Sequence, residues 1–404
     1  MIDLTPLRAS PGYRWLFSGL GLAFLARQLT VVAVPFQVYQ ITGSTLLVGM
    51  IGMAQFVPLL LASAVTGAIA DAVDRRRLLA VSQILTAATA AGLAWNASLD
   101  QPKLWPIYLF SGLNAAVSAV DNPTRSAALP ALVGRSLLTR ALALNQTLIN
   151  VAKAVGPALA GLSIATLGLE ATYWIEAGAF LLCGGLMSRV PSLKPEGGGT
   201  RFGLASILEG FRFLRSRRLL QANFLIDLNA MVFGMPQALF PAIGIQQLGG
   251  SAATVGLLYA APGAGALLAA LTSGWVGRVV RQGRAVIVAV VVWGLAIATF
   301  GLVSQVELAL ALLAVAGGAD VISAVFRNSI LQLAVPDALR GRLSAIHTAV
   351  VAGGPRLGDL EAGVVASLTS VRFSVVSGGL ACVLGAVAIA RLVPEFADYR
   401  LEDR

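Results

Sequence analysis

The sequence predicts an all-α membrane protein made of two related bundles of six transmembrane helices. Its 404 residues are 57% hydrophobic and only 12% charged, whereas a soluble domain usually carries about 25% charged residues. Long apolar runs recur along the whole chain, and motifs of the first half return in the second half at a nearly constant distance. This composition and this repeat exclude an ordinary soluble domain.

Twelve apolar runs are long enough to cross a bilayer, which requires about 20 residues. The chain opens with MIDLTPLRASPGYRWLF and shows no cleavage pattern there, so we expect the first run to be a retained helix. Spans 1 to 12 are, in order, 15–39, 46–70, 78–97, 104–123, 141–166, 171–190, 219–245, 254–276, 285–304, 308–327, 344–369 and 373–393.

Lysine and arginine are distributed unequally between the two ends of these spans. If the N-terminus is cytoplasmic, 24 of the 29 basic residues fall in cytoplasmic segments, with Arg327 counted in the loop after span 10. Only Lys103 and Arg372 fall on the opposite side. This bias predicts a multi-pass protein of the inner (plasma) membrane with both termini in the cytoplasm. It also explains the net charge of +10 without a nucleic-acid partner.

The longest loop separates the two halves of the chain. It begins with the breaker-rich VPSLKPEGGG and continues as FGLASILEGFRFLRSRR, in which apolar residues recur at helical spacing among basic ones. We interpret this segment as an amphipathic helix at the cytoplasmic surface, and a solvated connector is the alternative. The predicted domains are a six-helix half (1–190), this linker (191–218) and a second six-helix half (219–404).

The internal repeat is carried by short matches in a fixed order. GSTLLVG at 43–49 matches GSAATVG at 250–256, an offset of 207 residues, and Gly67 matches Gly274 at the same offset. Further along, Gly156 and Gly161 match Gly358 and Gly363 at an offset of 202. Two units of equal orientation predict a pseudo-twofold axis along the membrane normal, as in transporters that move two halves around a central site.

The loop after span 2, GAIADAVDRRR at 67–77, resembles the G-x-x-x-D-x-x-x-R-[KR] loop of the major facilitator superfamily. Asp74 replaces the glycine that usually follows the first acid. AKAVGPALAG at 152–161 resembles the fifth-helix motif of exporters in that superfamily. VAVPFQVYQITGST, DNPTRSAALPALVGR and GRLSAIHTAVVAGGPRLGDLEAG resemble the branch of enterobactin exporters, which is related to macrolide-efflux proteins. The resemblance covers the whole chain and implies export of a small molecule driven by proton antiport.

The resemblance also implies a conformational latch in the loop after span 2. Its residues are Gly67, Asp71, Arg75, Arg76 and, at the end of span 4, Arg125. Asp71 can face the positive N-terminal end of a neighbouring helix, for which the resemblance suggests span 11, with Arg125 as a second partner. The arginines can also bind lipid headgroups, and a role in topology alone is the alternative.

The fifth-helix motif consists of Gly156, Pro157 and Gly161. Glycine permits close helix packing, and proline removes one backbone hydrogen bond and bends a helix. A bend that shapes a cavity and ordinary close packing both remain open. In span 11, Gly353-Gly354-Pro355 predicts a weakened helix at mid-depth, which would be a hinge or a site.

Ionisable residues inside membrane spans are costly and mark functional sites. A carboxylate in such a place can load and release a proton, and Asp320 is our first candidate for proton coupling, ahead of Asp227 and Asp359. His347 is a candidate either for a proton relay or for a local hydrogen bond. For the three carboxylates, the alternative is a structural ion pair.

Cationic and amide side chains within the spans are the candidates for substrate binding. Arginine stays protonated and offers a planar fork of donors that suits carboxylate, phosphate or catecholate groups, which favours Arg27 and Arg356. The other cavity candidates are Lys153, Gln28 and Asn114. Arg356 can instead pair with Asp359 at i and i+3.

These features favour a secondary transporter that exports a siderophore or a drug-like amphiphile, with protons, a small-molecule substrate and membrane lipid as partners. Uptake or lysophospholipid flipping on the same fold is the alternative. The sequence contains no nucleotide-binding glycine loop, metal cluster or nucleophile motif, so we expect neither an enzyme nor a cofactor or metal. We expect a monomer.

Overall fold

The computed structural model describes residues 3–193 and 211–400. Within these ranges, the side chains of residues 64, 65, 67–72, 337, 338, 340 and 345 lie outside the description. The predicted surface helix falls mostly in 194–210, which is also outside it. Among the described residues the chain is helical, without strands, and the predicted all-α class is confirmed.

The first half contains five helices. Ser10 caps the second of them by accepting a hydrogen bond from the backbone N–H of Tyr13 at 3.1 Å, and Gly43 ends it with a left-handed φ of 63°. The helices are α1 (Thr5–Ala9), α2 (Pro11–Thr42), α3 (Thr45–Ala72), α4 (Arg75–Ala97) and α5 (Leu104–Ser188).

The long α5 contains three helical stretches rather than one. Gly134 and Gly168 interrupt it with φ values of 70° and 85°, a conformation that glycine adopts without steric penalty. The three stretches correspond to predicted spans 4, 5 and 6. Pro157 lies inside the second stretch, which stays helical around it.

The second half contains long helices separated by short ones. They are α6 (211–216), α7 (Arg218–Phe233), α8 (Phe240–Ala242), α9 (Ala252–Leu271), α10 (Gln282–Phe300), α11 (Val306–Ala334), α12 (Asp337–Leu368), α13 (Val371–Leu392) and the short α14 (Pro394–Ala397). Nine helical segments of the described chain are long and apolar enough to cross a membrane, and the number of twelve spans stays a prediction.

Predicted span 7 is interrupted. The helix α7 ends at Phe233, a non-helical turn follows, and a 3₁₀ turn resumes at Gln237–Leu239. The helix α12 runs without a break through Pro355, and the role of this part of span 11 as a hinge or a site stays a prediction. There, an added Cβ at Gly358 would lie 2.5 Å from the carbonyl oxygen of Met231. Gly358 lets α12 pack closely on α7. The interruption of a helix lies after Phe233 of α7 and not in span 11.

The chain forms two compact units, each of which takes a short segment from the other half of the sequence. Unit 1 comprises Met1–Gly43, Met53–Arg201 and Gly250–Ala260; unit 2 comprises Ser44–Gly52, Phe202–Gly249 and Ala261–Arg404. The two exchanged segments contain most of the repeated motif at 43–49 and 250–256. The repeated motif therefore lies where the first residues of α3 belong to unit 2 and the first residues of α9 belong to unit 1.

Close backbone contacts hold each exchanged segment. In unit 1, Gly256 of α9 meets Gly161 of α5, where a Cβ on Gly256 would lie 2.6 Å from the Cα of Gly161. In unit 2, a Cβ on Gly49 of α3 would lie 3.3 Å from the Cα of Gly363 in α12. Only glycine allows such an approach of two helices. Gly161 thus makes a close helix contact, and a bend of the fifth-helix motif that shapes a cavity stays a prediction.

Candidate functional site

A buried cluster of charged side chains lies in unit 2, where α7, α11 and α12 meet. Nη1 of Arg327 lies 2.9 Å from Oδ1 of Asp227, and its Nη2 lies 3.6 Å from Oδ1 of Asp320. Nε2 of His347 lies 3.6 Å from Oδ2 of Asp227. The side chains of Arg327 and Asp227 are 3% and 1% exposed. Two of the three proton-coupling candidates are thus joined by one arginine.

Counting Arg327 among loop residues was wrong. It lies in the interior of α11, seven residues after Asp320, and therefore on the same face two turns away. This i, i+7 spacing from an acid inside a span was the signal that could have placed it in the cluster. The backbone carbonyl of Arg327 also accepts a bond from the Asn223 amide at 3.3 Å, which further links α11 to α7.

The two carboxylates of this cluster differ in access. Asp227 is held against the guanidinium and is almost completely covered, whereas the Asp320 side chain is 36% exposed. Asp320 also lines a pocket of about 40 Å³ beside the break in α7, together with Gly234, Pro236 and Gln237. A pocket of this size holds one or two water molecules. Asp320 is therefore the more accessible of the two carboxylates, and Asp227 is the more tightly enclosed one.

The third candidate carboxylate, Asp359, supports the break in α7. Its Oδ1 accepts a hydrogen bond from the backbone N–H of Ala238 at 2.9 Å, in the 3₁₀ turn that follows the break. The guanidinium of Arg356 donates to the carbonyl of Ala352 one turn earlier. Asp359 thus satisfies a backbone donor that the interrupted helix leaves open.

Unit 1 holds most of the substrate-cavity candidates. Nη1 of Arg27 in α2 donates to the Ser118 hydroxyl of α5 at 2.9 Å, and Ser118 in turn donates to the carbonyl of Asn114. The Asn114 amide donates to Thr89 of α4 at 3.3 Å. Arg27 and Asn114 therefore belong to one polar chain across three helices. Lys153 is exposed.

Two further features of unit 1 adjoin this chain. The fully buried Glu176 accepts a hydrogen bond from the hydroxyl of Thr30, one turn after Arg27 on α2. Gln28 lies against Gly156 of the fifth-helix motif, where an added Cβ would collide with the Gln28 side chain. The sequence showed Glu176 as an acid within span 6 but gave no sign that it approaches α2.

The proposed latch residue Arg125 pairs with an acid of its own helix, and its expected pairing with Asp71 stays a prediction. Its Nη2 lies 2.5 Å from Oδ2 of Asp121, and its guanidinium lies 5.0 Å from the ring centroid of Phe24. Asp121 also accepts bonds from Gln83 at 2.9 Å and Ser82 at 3.0 Å. The i, i+4 spacing of Asp121 and Arg125 was a signal for this pair. The side chains of Gly67 and Asp71 lie outside the described part.

Asp74, which replaces the usual glycine of the loop motif, ties that loop to the chain after α5. Its carboxylate accepts bonds from the hydroxyl of Ser192 at 2.5 Å and from the N–H groups of Leu193 at 3.1 Å and Arg76 at 2.9 Å. Burial is the largest single influence and raises the pKa of Asp74, but these hydrogen bonds and the positive charge of Arg76 together outweigh it and leave the pKa below its ordinary value. Arg75 adds a bond from its N–H to the carbonyl of Leu193 at 3.2 Å.

Comparison with known proteins decides the family. Residues 2–402 match the family of transmembrane secretion effectors. The chain belongs to the major facilitator superfamily. The enterobactin exporter EntS of Citrobacter koseri is 33% identical over 94% of this chain and 91% of its own length. EntS of Shigella boydii is 31% identical over 97% of this chain and 94% of its own length.

Solved structures of transporters share this fold. The nucleoside transporter NupG matches with a TM-score of 0.78 at 13% identity, over 94% of this chain and 99% of that one. By its family and its sequence relatives, the protein is a membrane transporter rather than an enzyme, and it acts on a small molecule. The predicted family and fold are confirmed.

Proposed function

We propose that this transporter exports a small amphiphilic molecule, of siderophore or drug-like type, across the inner membrane by proton antiport. The cluster of the buried pair Asp227–Arg327 with the partly exposed Asp320 is the observation that carries the proposal. A charged group within a membrane protein is expensive and is kept where it does work. The relatives that carry the name enterobactin exporter, at up to 33% identity, favour export of a siderophore.

The cluster supports proton coupling by the unequal environments of its carboxylates. Arg327 is permanently protonated and at 2.9 Å neutralises Asp227, while the interaction with Asp320 at 3.6 Å is looser. A proton on Asp320 removes its attraction to Arg327, and loss of the proton restores it. Because Arg327 links α7 and α11, this change can bias two arrangements of the helices.

Substrate recognition is assigned to the cationic and polar candidates. Arg27 and Arg356, with Lys153, Gln28 and Asn114, would bind an anionic or catecholate group. Arg27 donates to Ser118 from one nitrogen of its guanidinium, and the planar shape of a guanidinium suits a pair of carboxylate or catecholate oxygens. Transport would proceed by alternating access, in which the two halves move around a central site.

The remaining parts of the proposal concern organisation. The transporter works as a monomer with both termini in the cytoplasm, and its halves are 1–190 and 219–404, joined by the linker 191–218. The latch of Gly67, Asp71, Arg75 and Arg76 favours one conformation, with Arg125 held by Asp121 in the conformation described above. Uptake, or lysophospholipid flipping on the same fold, is the second candidate function.

Transport in inside-out membrane vesicles tests the proposal. With an interior made acidic by an imposed gradient, radiolabelled enterobactin should accumulate inside vesicles that contain the protein, and an uncoupler should abolish the accumulation. Vesicles without the protein are the control. Accumulation that an uncoupler leaves unchanged would rule out proton antiport. Accumulation only in right-side-out vesicles would favour uptake, and movement of lysophospholipid alone would favour the flippase.

A further inference from the structure

A groove on the outer face of unit 2 lies between α10 and α11 and has a volume of about 610 Å³. Its walls are apolar and exposed, with Val288 of α10 61% and Val315 of α11 50% accessible. Its floor is formed by small residues, among them Gly318 and the buried Ala319. Small residues where two helices face each other leave room between the larger side chains of the walls.

One end of the groove is basic. Arg281 and Arg284 line it there, and none of the twelve lining residues is acidic. Trp275, from the 3₁₀ turn before α10, closes the same end. Tryptophan and arginine together are typical of the boundary between hydrocarbon and headgroups.

The depth of this basic end matches the headgroup layer. The helix α10 has 19 residues and, at 1.5 Å per residue, is about 28 Å long. This length is close to the hydrocarbon thickness of about 30 Å. The first turn of α10, which carries Arg284, therefore lies at one membrane boundary, and the valines of the groove lie deeper, among acyl chains.

Arg284 retains capacity for a ligand. Its Nη2 lies 2.8 Å from Oδ1 of Asp398, but both side chains are more than half exposed, and exposed pairs of this kind contribute little. A guanidinium has five donor hydrogens, so a single contact leaves several of them available to a phosphate.

The related loop of unit 1 differs at this point. At the repeat offset of 207, Asp74 stands where Arg281 stands, and Asp71 stands where Arg278 stands. In unit 1 the carboxylate of Asp74 is occupied by Ser192 and Leu193. At these two positions the second loop therefore carries arginines where the first loop carries acids, and Arg281 lies beside an apolar groove.

We propose that this groove binds one anionic phospholipid, with its phosphate on Arg281 and Arg284 and an acyl chain along Val288 and Val315. The apolar wall selects an acyl chain, and the positive charge at headgroup depth selects an anionic headgroup over a zwitterionic one. The assignment is independent of the transported substrate.

Thermal stability of the full-length protein in detergent, with defined lipid added, tests the site. Phosphatidylglycerol should raise the Tm more than phosphatidylcholine of the same chain length does. In the double variant Arg281→Gln/Arg284→Gln, the apparent affinity for phosphatidylglycerol should fall about 30-fold, at about 1 kcal/mol per arginine. The matched control Arg212→Gln/Arg215→Gln removes two exposed arginines elsewhere in unit 2 and should retain the preference.

A second pair of variants tests the acyl-chain wall. Val288→Trp fills the groove and should abolish the preference for phosphatidylglycerol, while Leu295→Trp places the same ring on an exposed part of α10 outside the groove and should not. If Val288→Trp does not fold, Val315→Trp takes its place. Equal effects of the two lipids on the wild type, or a preference that survives either the arginine or the groove variant, would overturn the proposal. An equal Tm shift from inorganic phosphate would also overturn it, because the ligand would then be a free anion.

Discussion

Arg327 and Asp227 form a salt bridge of 2.9 Å between α11 and α7, with both side chains at most 3% exposed. Removal of one partner from a buried pair of this kind strongly destabilises the folded protein, because the other charge stays buried without compensation. The pair therefore couples the stability of unit 2 to the cluster that we assign to proton transport. The predictions below separate these two roles.

Removal of one partner should destabilise the protein. We expect Arg327→Met to reduce the free energy of unfolding by about 3–5 kcal/mol, because it leaves Asp227 charged and buried. The measurement is the Tm in detergent. Arg278→Met, which removes an exposed arginine, should change the Tm little. The double variant Asp227→Asn/Arg327→Met should recover part of the loss, and a double variant less stable than the single one would contradict the pairing.

Asp320 should carry the proton without holding the fold together. We expect Asp320→Asn to abolish transport driven by a pH gradient while substrate binding and Tm stay near wild type, because the looser carboxylate is 36% exposed. The control Glu307→Gln removes an exposed acid from the first turn of the same helix and should leave transport intact. Wild-type coupling in Asp320→Asn would remove this residue from the mechanism.

The glycine contact between α5 and α9 should tolerate no side chain. A Cβ at Gly256 would lie 2.5 Å from the carbonyl oxygen of Pro157, so we expect Gly256→Val to lower the stability by about 1–3 kcal/mol through overpacking. Gly178→Ala is the control, because nothing lies within 4 Å of its added Cβ. The Tm of both variants measures the effect, and equal values would contradict the close contact.

The loop at Asp74 should give a stability contribution that depends on pH. The pKa of Asp74 is lowered in the folded protein, so its contribution is complete above the unfolded-state pKa of about 3.9 and is lost as the pH falls through the lower folded value. Asp74→Asn should therefore be less stable than wild type at pH 5–7, and the Tm difference should shrink as the pH falls below about 4. Asp100→Asn, an exposed acid in the loop after α4, is the control. A difference independent of pH would show that the charge of Asp74 plays no part.

Composition and periodicity were sufficient for the all-α class and the internal repeat, because hydrophobicity and charge are local properties of the sequence. The resemblance of short motifs was sufficient for the superfamily. Distant partners were not predictable. Nothing local indicates that Asp359 accepts from Ala238 across 121 residues, or that Glu176 meets Thr30. The break in α7 was missed because Gly234 and Pro236 were read as part of a continuous apolar run, although a proline there is a warning of a helix end.

The exchanged helix beginnings have a consequence for biogenesis. Residues 44–52 emerge early from the ribosome, but their packing partners in α12, around Gly363, are synthesised about 310 residues later. Likewise, the stretch of α5 around Gly161 receives residues 250–260 only after the second half has begun to be made. Neither unit can reach its final packing while the chain is still being inserted, so the last steps of maturation must take place after both halves are in the bilayer.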